Sequence, residues 1–145
     1  MRFNEYFKLL QLVQNMNTGG LVHTDFDPFR QTQNMNLSNA AQKIRDVPNA
    51  GGNSVVSEVL SFELLQKCFG AQLLKTEMEV AYWPEGGSIT DYMCNMFDIP
   101  LGVSVTRAMK YKGDFTSEDA EKLLMKKLGG VIQSTKNAID KWSKQ

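Results

Sequence analysis

Four carboxylates in this chain, Glu58, Glu77, Glu79 and Asp91, are placed where they could do chemistry. At about 100° per residue, a helix gathers Val55, Val59, Phe62, Leu65 and Phe69 on one face. Glu58 falls on that same face, between Leu65 and Phe69. Burying an ionised carboxylate costs several kcal/mol unless a cation, a donor or a pKa shift compensates. Glu58 therefore meets either a structural donor or a metal ion, and the functional reading turns on which. The other three acids follow on strand-like segments.

Plainer roles stand beside the chemical ones. Glu58 could accept hydrogen bonds from backbone N–H groups or from Arg107. Glu77 reads as solvent-facing, and Asp91 alone would pass for a strand-end or turn residue. Ser104 and Thr106 are β-formers whose hydroxyls can bond locally. Tyr82, Trp83 and Tyr92 could stack on bases, yet aromatics in strands are usually core or cross-strand pairs. Lys122, Lys126 and Lys127 follow helical spacing beside Glu118 and Glu121, which makes a solvated face the default.

The elements that must position these groups can be read from patterning. Residues 3–16 form an amphipathic helix with Phe3, Phe7, Leu10 and Val13 on one side. A loop with Gly19-Gly20 and an Asp27-Pro28 turn leads to a short helix from Asn36, stopped by Pro48. Gly51-Gly52-Asn53-Ser54 is a linker ending in a helix N-cap, and it divides an N-terminal helical appendage (1–50) from the main domain (51–145). The next helix runs from Ser54 to Phe69 and closes at Gly70. Leu73 to Trp83 alternates as a half-buried strand, with Leu74, Thr76, Met78, Val80 and Tyr82 on one face. A Pro84-Glu-Gly-Gly turn leads into a second strand, Ser88–Phe97. Leu101–Met109 is a third. Phe115 to Asp119 is a staple and N-cap opening a helix that ends at Gly129-Gly130. Val131–Ser134 is a fourth strand, and the tail from Lys136 a last helical turn. The predicted class is α/β, in the order α-β-β-β-α-β, with a small mixed four-stranded sheet flanked by helices.

Composition sets limits. The chain has 145 residues, enough for one domain with a real core. Sixteen Lys and Arg balance sixteen Asp and Glu, so no basic surplus announces nucleic-acid attachment. A local patch from Arg107, Lys110 and Lys112 would have to be built by the fold. One histidine, His23, excludes a histidine-rich zinc site and leaves little for a Ser-His-Asp triad. Cys68 and Cys94 make no disulfide framework, which points to an intracellular compartment, cytoplasm or nucleus. No apolar run approaches the roughly 20 residues of a membrane span, and the N-terminus lacks a signal-peptide pattern. The first helix could hold a protein partner.

The element order resembles the PD-(D/E)XK nuclease-like superfamily, the fold of restriction endonucleases and Holliday-junction resolvases. More specifically, residues 53–135 resemble a protist and fungal family of that fold that includes AAC-rich mRNA clone proteins. The likeness rests on Ser57-Glu58 with Glu63, Phe69-Gly70-Ala71, Thr76-Glu-Met-Glu79 with Tyr82-Trp83, and Asp91-Tyr92. It continues in Gly102-Val-Ser-Val-Thr-Arg-Ala108 with Tyr111, and in Glu118 to Leu124 with Lys126-Lys127-Leu128. Residues 1–50 carry no such likeness.

The resemblance implies a Mg²⁺ ion held by a helix glutamate and by acids of the second and third strands, with a lysine two residues after the last acid. Carried over, Glu58 takes the helix position and Asp91 the second-strand position. The third-strand acid and lysine fall on Ser104 and Thr106, which supply neither charge. Glu79 could replace the missing acid by migration. Thr106, Arg107 and Lys110 would contact phosphate or water, although an arginine cannot serve as the base. The expectation is a nuclease-fold protein with a degenerate Mg²⁺-dependent phosphodiesterase centre, acting on or near nucleic acid. The rival is a non-catalytic scaffold domain in which the carboxylates pair with Arg107.

Overall fold

The computed structural model describes residues 3–15, 17–25, 31, 34–50 and 54–139. The expected Asp27-Pro28 turn, the Gly51-Gly52-Asn53 linker and the tail beyond Ile139 lie outside the described residues. Four helices are described: α1 (Phe3–Gln14), α2 (Asn39–Asp46), α3 (Val55–Phe69) and α4 (Ser117–Asn137). Three strands, β1 (Gln72–Thr76), β2 (Tyr92–Met96) and β3 (Ile99–Val103), form a wholly antiparallel sheet in the order β1-β2-β3. The class is mixed α and β, as expected. The sheet has three strands among the described residues, where four were expected.

Each departure has a local cause. The strand expected over Leu73–Trp83 stops at Thr76, because Thr76 and Glu79 close a capping box around a 3-10 turn, Glu77–Glu79. A register shift between Leu73 and Lys75 also breaks the alternation. Leu74 and Met78, expected on one face with Thr76 and Val80, are exposed while those two are buried. The third strand ends at Val103 rather than Met109. It is joined to β2 by a two-residue turn in which Phe97 and Asp98 both take positive φ, 55° and 62°. Hairpins favour that geometry because its twist matches the strands. Ser104 and Thr106, expected on the third strand, thus lie past its end.

The helix expected to stop at Gly129-Gly130 runs through both to Asn137, and Val131–Ser134, expected as a fourth strand, is its last turns. Gly130 fits there because a Cβ would come within 3.2 Å of the Ser88 hydroxyl. Residues just past the helix then pair with the chain after the 3-10 turn: Tyr82 bridges Ala138, and Trp83 N–H donates to Asn137 O at 2.7 Å. Among the described residues, no helix is long and apolar enough to cross a membrane.

The core draws on every helix but α4. Val13 of α1, Ala41 and Ile44 of α2, Val59 and Phe62 of α3, and Tyr92, Cys94, Met96 and Leu101 of the sheet form one cluster. Phe62 meets Tyr92 edge to face at 5.6 Å, and its burial contributes on the order of 2–3 kcal/mol. Residues on both sides of position 50 share this cluster. On α1, Tyr6 stacks on Phe69 at 5.7 Å, whereas Phe3 and Phe7 of the expected stripe are exposed. Pro48 stops α2 as read: Val47, before it, is extended at ψ 155°.

Candidate carboxylate-lysine centre

Glu58 is buried at 3% exposure in the first turn of α3, as its helical position requires. Ser54 precedes that turn, but its side chain makes no bond to the helix backbone. Instead, its hydroxyl bonds the Glu58 carboxylate. Burial acts most strongly on Glu58 and pushes its carboxyl above the ordinary glutamate range. The Ser54 bond opposes this, the charge of Asp91 adds to it, and Lys127 partly offsets it.

Asp91 stands just ahead of β2, held by two bonds of its neighbour. The Thr90 N–H donates to the Tyr82 hydroxyl at 2.7 Å, and the Thr90 hydroxyl donates to Val103 O at 3.1 Å. Asp91 itself continues the ladder, its N–H donating to Val103 O at 3.0 Å. Its Oδ2 accepts from Val105 N at 2.5 Å and lies 4.0 Å from Lys127 Nζ. That ammonium also donates to the Ser104 hydroxyl at 3.3 Å.

The third acid of the group is Glu77, not Glu79. The 3-10 turn after β1 carries Glu77 toward Glu58 and Asp91, where its carboxylate also accepts from Ala50 N at 2.6 Å. Burial, then the charges of Glu58 and Asp91, raise its pKa against the Ala50 bond and Lys127. Its assignment to solvent is therefore corrected: Glu77 is half-buried. Glu79 points elsewhere. It accepts from Lys43 Nζ at 2.7 Å and from Thr76 N at 2.9 Å, and those bonds hold its carboxyl below the usual range.

The remaining candidates lie outside the group. Thr106 and Arg107 are exposed in the loop after β3. Lys110 pairs with Asp119 at 2.8 Å. Lys122 pairs with Glu118 at 2.6 Å, which bears out the solvated face for that lysine. Lys127, grouped with it by sequence, does not share the role. Its side chain is one-third exposed and turns inward to Asp91 and Ser104. A signal for this was present, since Lys127 is one residue off the Glu118–Lys122–Lys126 row.

The group thus comprises three carboxylates and one ammonium, drawn from α3, the 3-10 turn, the approach to β2, and α4. Its donors are hard oxygens, the kind Mg²⁺ prefers. The charge of Asp91 reaches both Glu58 and Glu77, and that of Glu58 reaches Glu77, yet among the described residues no three acidic, histidine or cysteine side chains converge tightly enough to ligate one ion as they stand.

No family model matches the chain, and no solved structure does. Among curated proteins it is similar to the AAC-rich mRNA clone AAC4 protein of Dictyostelium discoideum, with 46% identity over 142 residues covering 92% of this chain and 21% of that protein. The chain therefore spans about a fifth of that relative's length. The resemblance to AAC-rich mRNA clone proteins is borne out. Because the likeness covers 92% of the chain, it also takes in much of residues 1–50, which the motifs alone left unmatched.

Proposed function

We propose that the chain is a nuclease-like module of the PD-(D/E)XK kind, whose Glu58, Glu77, Asp91 and Lys127 form a Mg²⁺-dependent phosphodiester-cleaving centre. The observation that supports this reading is that Asp91 lies 4.0 Å from Lys127 and that the charges of both act on Glu58 and Glu77, which come from separate elements. Glu58, Glu77 and Asp91 would hold the ion. When bound, Mg²⁺ polarises a phosphate and lowers the pKa of a coordinated water. Lys127, fixed by Ser104, would donate to a phosphate oxygen in place of the lysine missing at position 106. Glu79 and Thr106 have no part in this centre, and Arg107 would act only outside it.

The test is cleavage of end-labelled DNA and RNA with and without Mg²⁺ or Mn²⁺. Cutting should need the metal and disappear in Glu58→Gln and Asp91→Asn. Metal-independent cutting, or cutting that survives Glu58→Gln, would overturn the assignment.

One observation favours a second reading, a scaffold domain without catalysis. Asp91 Oδ2 is already bonded to Val105 N–H and faced by Lys127, so it could serve only to fix the chain leaving β3. The exposed Phe3 and Phe7 of α1 would then offer a partner surface. On that reading no nucleic acid is cut, and chelators leave every property of the chain unchanged.

A further inference from the structure

The chain from Thr106 to Phe115 leaves the carboxylate-lysine group directly and has no regular secondary structure. Its root is fixed where the Val105 N–H donates to Asp91 Oδ2. Its far end is fixed at the start of α4, where the Thr116 N–H and the Lys110 ammonium both donate to Asp119 Oδ2, at 3.0 and 2.8 Å. Gly113, at φ +77°, allows the turn back toward that helix.

Between these anchors the loop projects side chains that a folded domain ordinarily hides. Tyr111 is 95% exposed and Met109 60%. Lys112 beside them is exposed, as is Arg107. A tyrosine so exposed, with Lys110 before it and Lys112 after it, contributes nothing to the core. Its flat face suits stacking on a base, and the adjacent ammonium suits a phosphate. Tyr111 is six positions beyond Val105, so its Cα lies within about 22 Å of the Val105 Cα even if the chain is fully extended.

We infer that this loop is the substrate-holding arm of the centre proposed above, and that the substrate is single-stranded nucleic acid: Tyr111 stacks on an unpaired base while Lys112 contacts the backbone. The inference rests on that centre for its biological sense. Single strands are favoured over duplex because stacking on a lone loop tyrosine needs a base already free of its partner. A chain of zero net charge also lacks the broad basic surface by which proteins hold duplex without sequence preference.

The experiment is fluorescence anisotropy of the full chain in EDTA at low salt, with labelled oligo(dT), oligo(U) and a duplex of equal length. Single strands should bind more tightly than duplex, and the two homopolymers distinguish DNA from RNA as the source. Tyr111→Ala should weaken single-strand binding on the order of tenfold, and Tyr111→Phe by no more than about twofold. Lys112→Ala should lower the salt slope by about 0.7. Equal binding by Tyr111→Ala and the parent, duplex bound as tightly as single strand, or no binding at all would each overturn the arm. Manganese titration of Tyr111→Ala separates the two claims. Uptake equal to the parent's, with strand binding lost, supports the arm and leaves the centre untouched; a Tyr111-dependent strand contact in a chain that takes up no manganese supports the arm while the centre fails.

Discussion

Helix α3 buries two glutamates five residues apart, and they behave in opposite ways. Glu63, 6% exposed, accepts from Ser38 N and Oγ at 3.1 and 2.8 Å and is ion-paired to Lys67 at 2.7 Å. Burial still pushes its carboxyl upward, but the Lys67 and Ser38 contacts together outweigh that and bring it below the usual range. The same contact holds Ser38, whose hydroxyl caps α2 through Ala41 N. Glu58, 3% exposed, has one hydroxyl and faces Asp91, and its carboxyl is raised. Burial alone therefore does not mark a functional acid. The donors around it decide the sign: Lys67 and Ser38 make Glu63 a bracket, whereas Glu58 has only Ser54 and part of the Lys127 charge to set against its burial and the charge of Asp91.

This contrast can be broken or sharpened by mutation. The largest effect on stability belongs to Glu63→Ala, which removes the acceptor of Ser38 and loosens the α2 cap. Urea unfolding should show a loss of about 2–3 kcal/mol. Lys127→Met comes next. It strips a cation from beside three acids, and the same titration should show a loss of about 1 kcal/mol, discounted for the lysine's partial exposure. Glu58→Gln should change stability by less than about 0.5 kcal/mol, in either direction, because it removes a repelled charge and leaves a group that can still bond Ser54. Should Glu58→Gln cost as much as Glu63→Ala, the two glutamates would be equivalent brackets and the contrast would vanish.

The pH dependence separates them by sign. A lowered folded pKa means that the contribution of Glu63 is present above the unfolded value, about 4.3, and is lost as pH falls through the folded one. Raised folded values at Glu58 and Glu77 mean the folded chain holds protons the unfolded chain has released. Their effect is a stability that declines as pH climbs from about 4.3 through the raised values. Chemical denaturation across that interval should show a decline in the parent that is reduced in the Glu58→Gln, Glu77→Gln double variant. Glu63→Ala should keep the decline but lose the acid-side fall.

Much of this arrangement was legible in the chain. The wheel over residues 55–69 put Glu58 inside, Gly70 closed α3 at φ +69°, and Thr116 with Asp119 opened α4. What escaped was decided by competition between local signals. Alternation over Leu73–Trp83 puts Glu77 and Glu79 on one face, but the Thr76-x-x-Glu79 capping pattern prevails: Glu79 turns back to Thr76 N and Lys43, and Glu77 is half-buried. Gly129-Gly130 resembles a helix stop, but Ser88 fills the space beside Gly130 and the helix continues. The β2–β3 turn carries no glycine or asparagine, only Phe97 and Asp98 held in the left-handed region by the strands they join. Lys127 stands one residue off the Glu118–Lys122–Lys126 row, but that offset names no partner, and only the packing of α4 beside Asp91 supplies one.

Isothermal titration with Mn²⁺ near neutral pH, on the parent and on Glu58→Gln, bears most directly on the three acids and their lysine. One saturable event in the parent that is absent from the variant is the predicted result. No heat in the parent, or the same isotherm in both proteins, would contradict it and leave Asp91 as the fastener of β3 and nothing more.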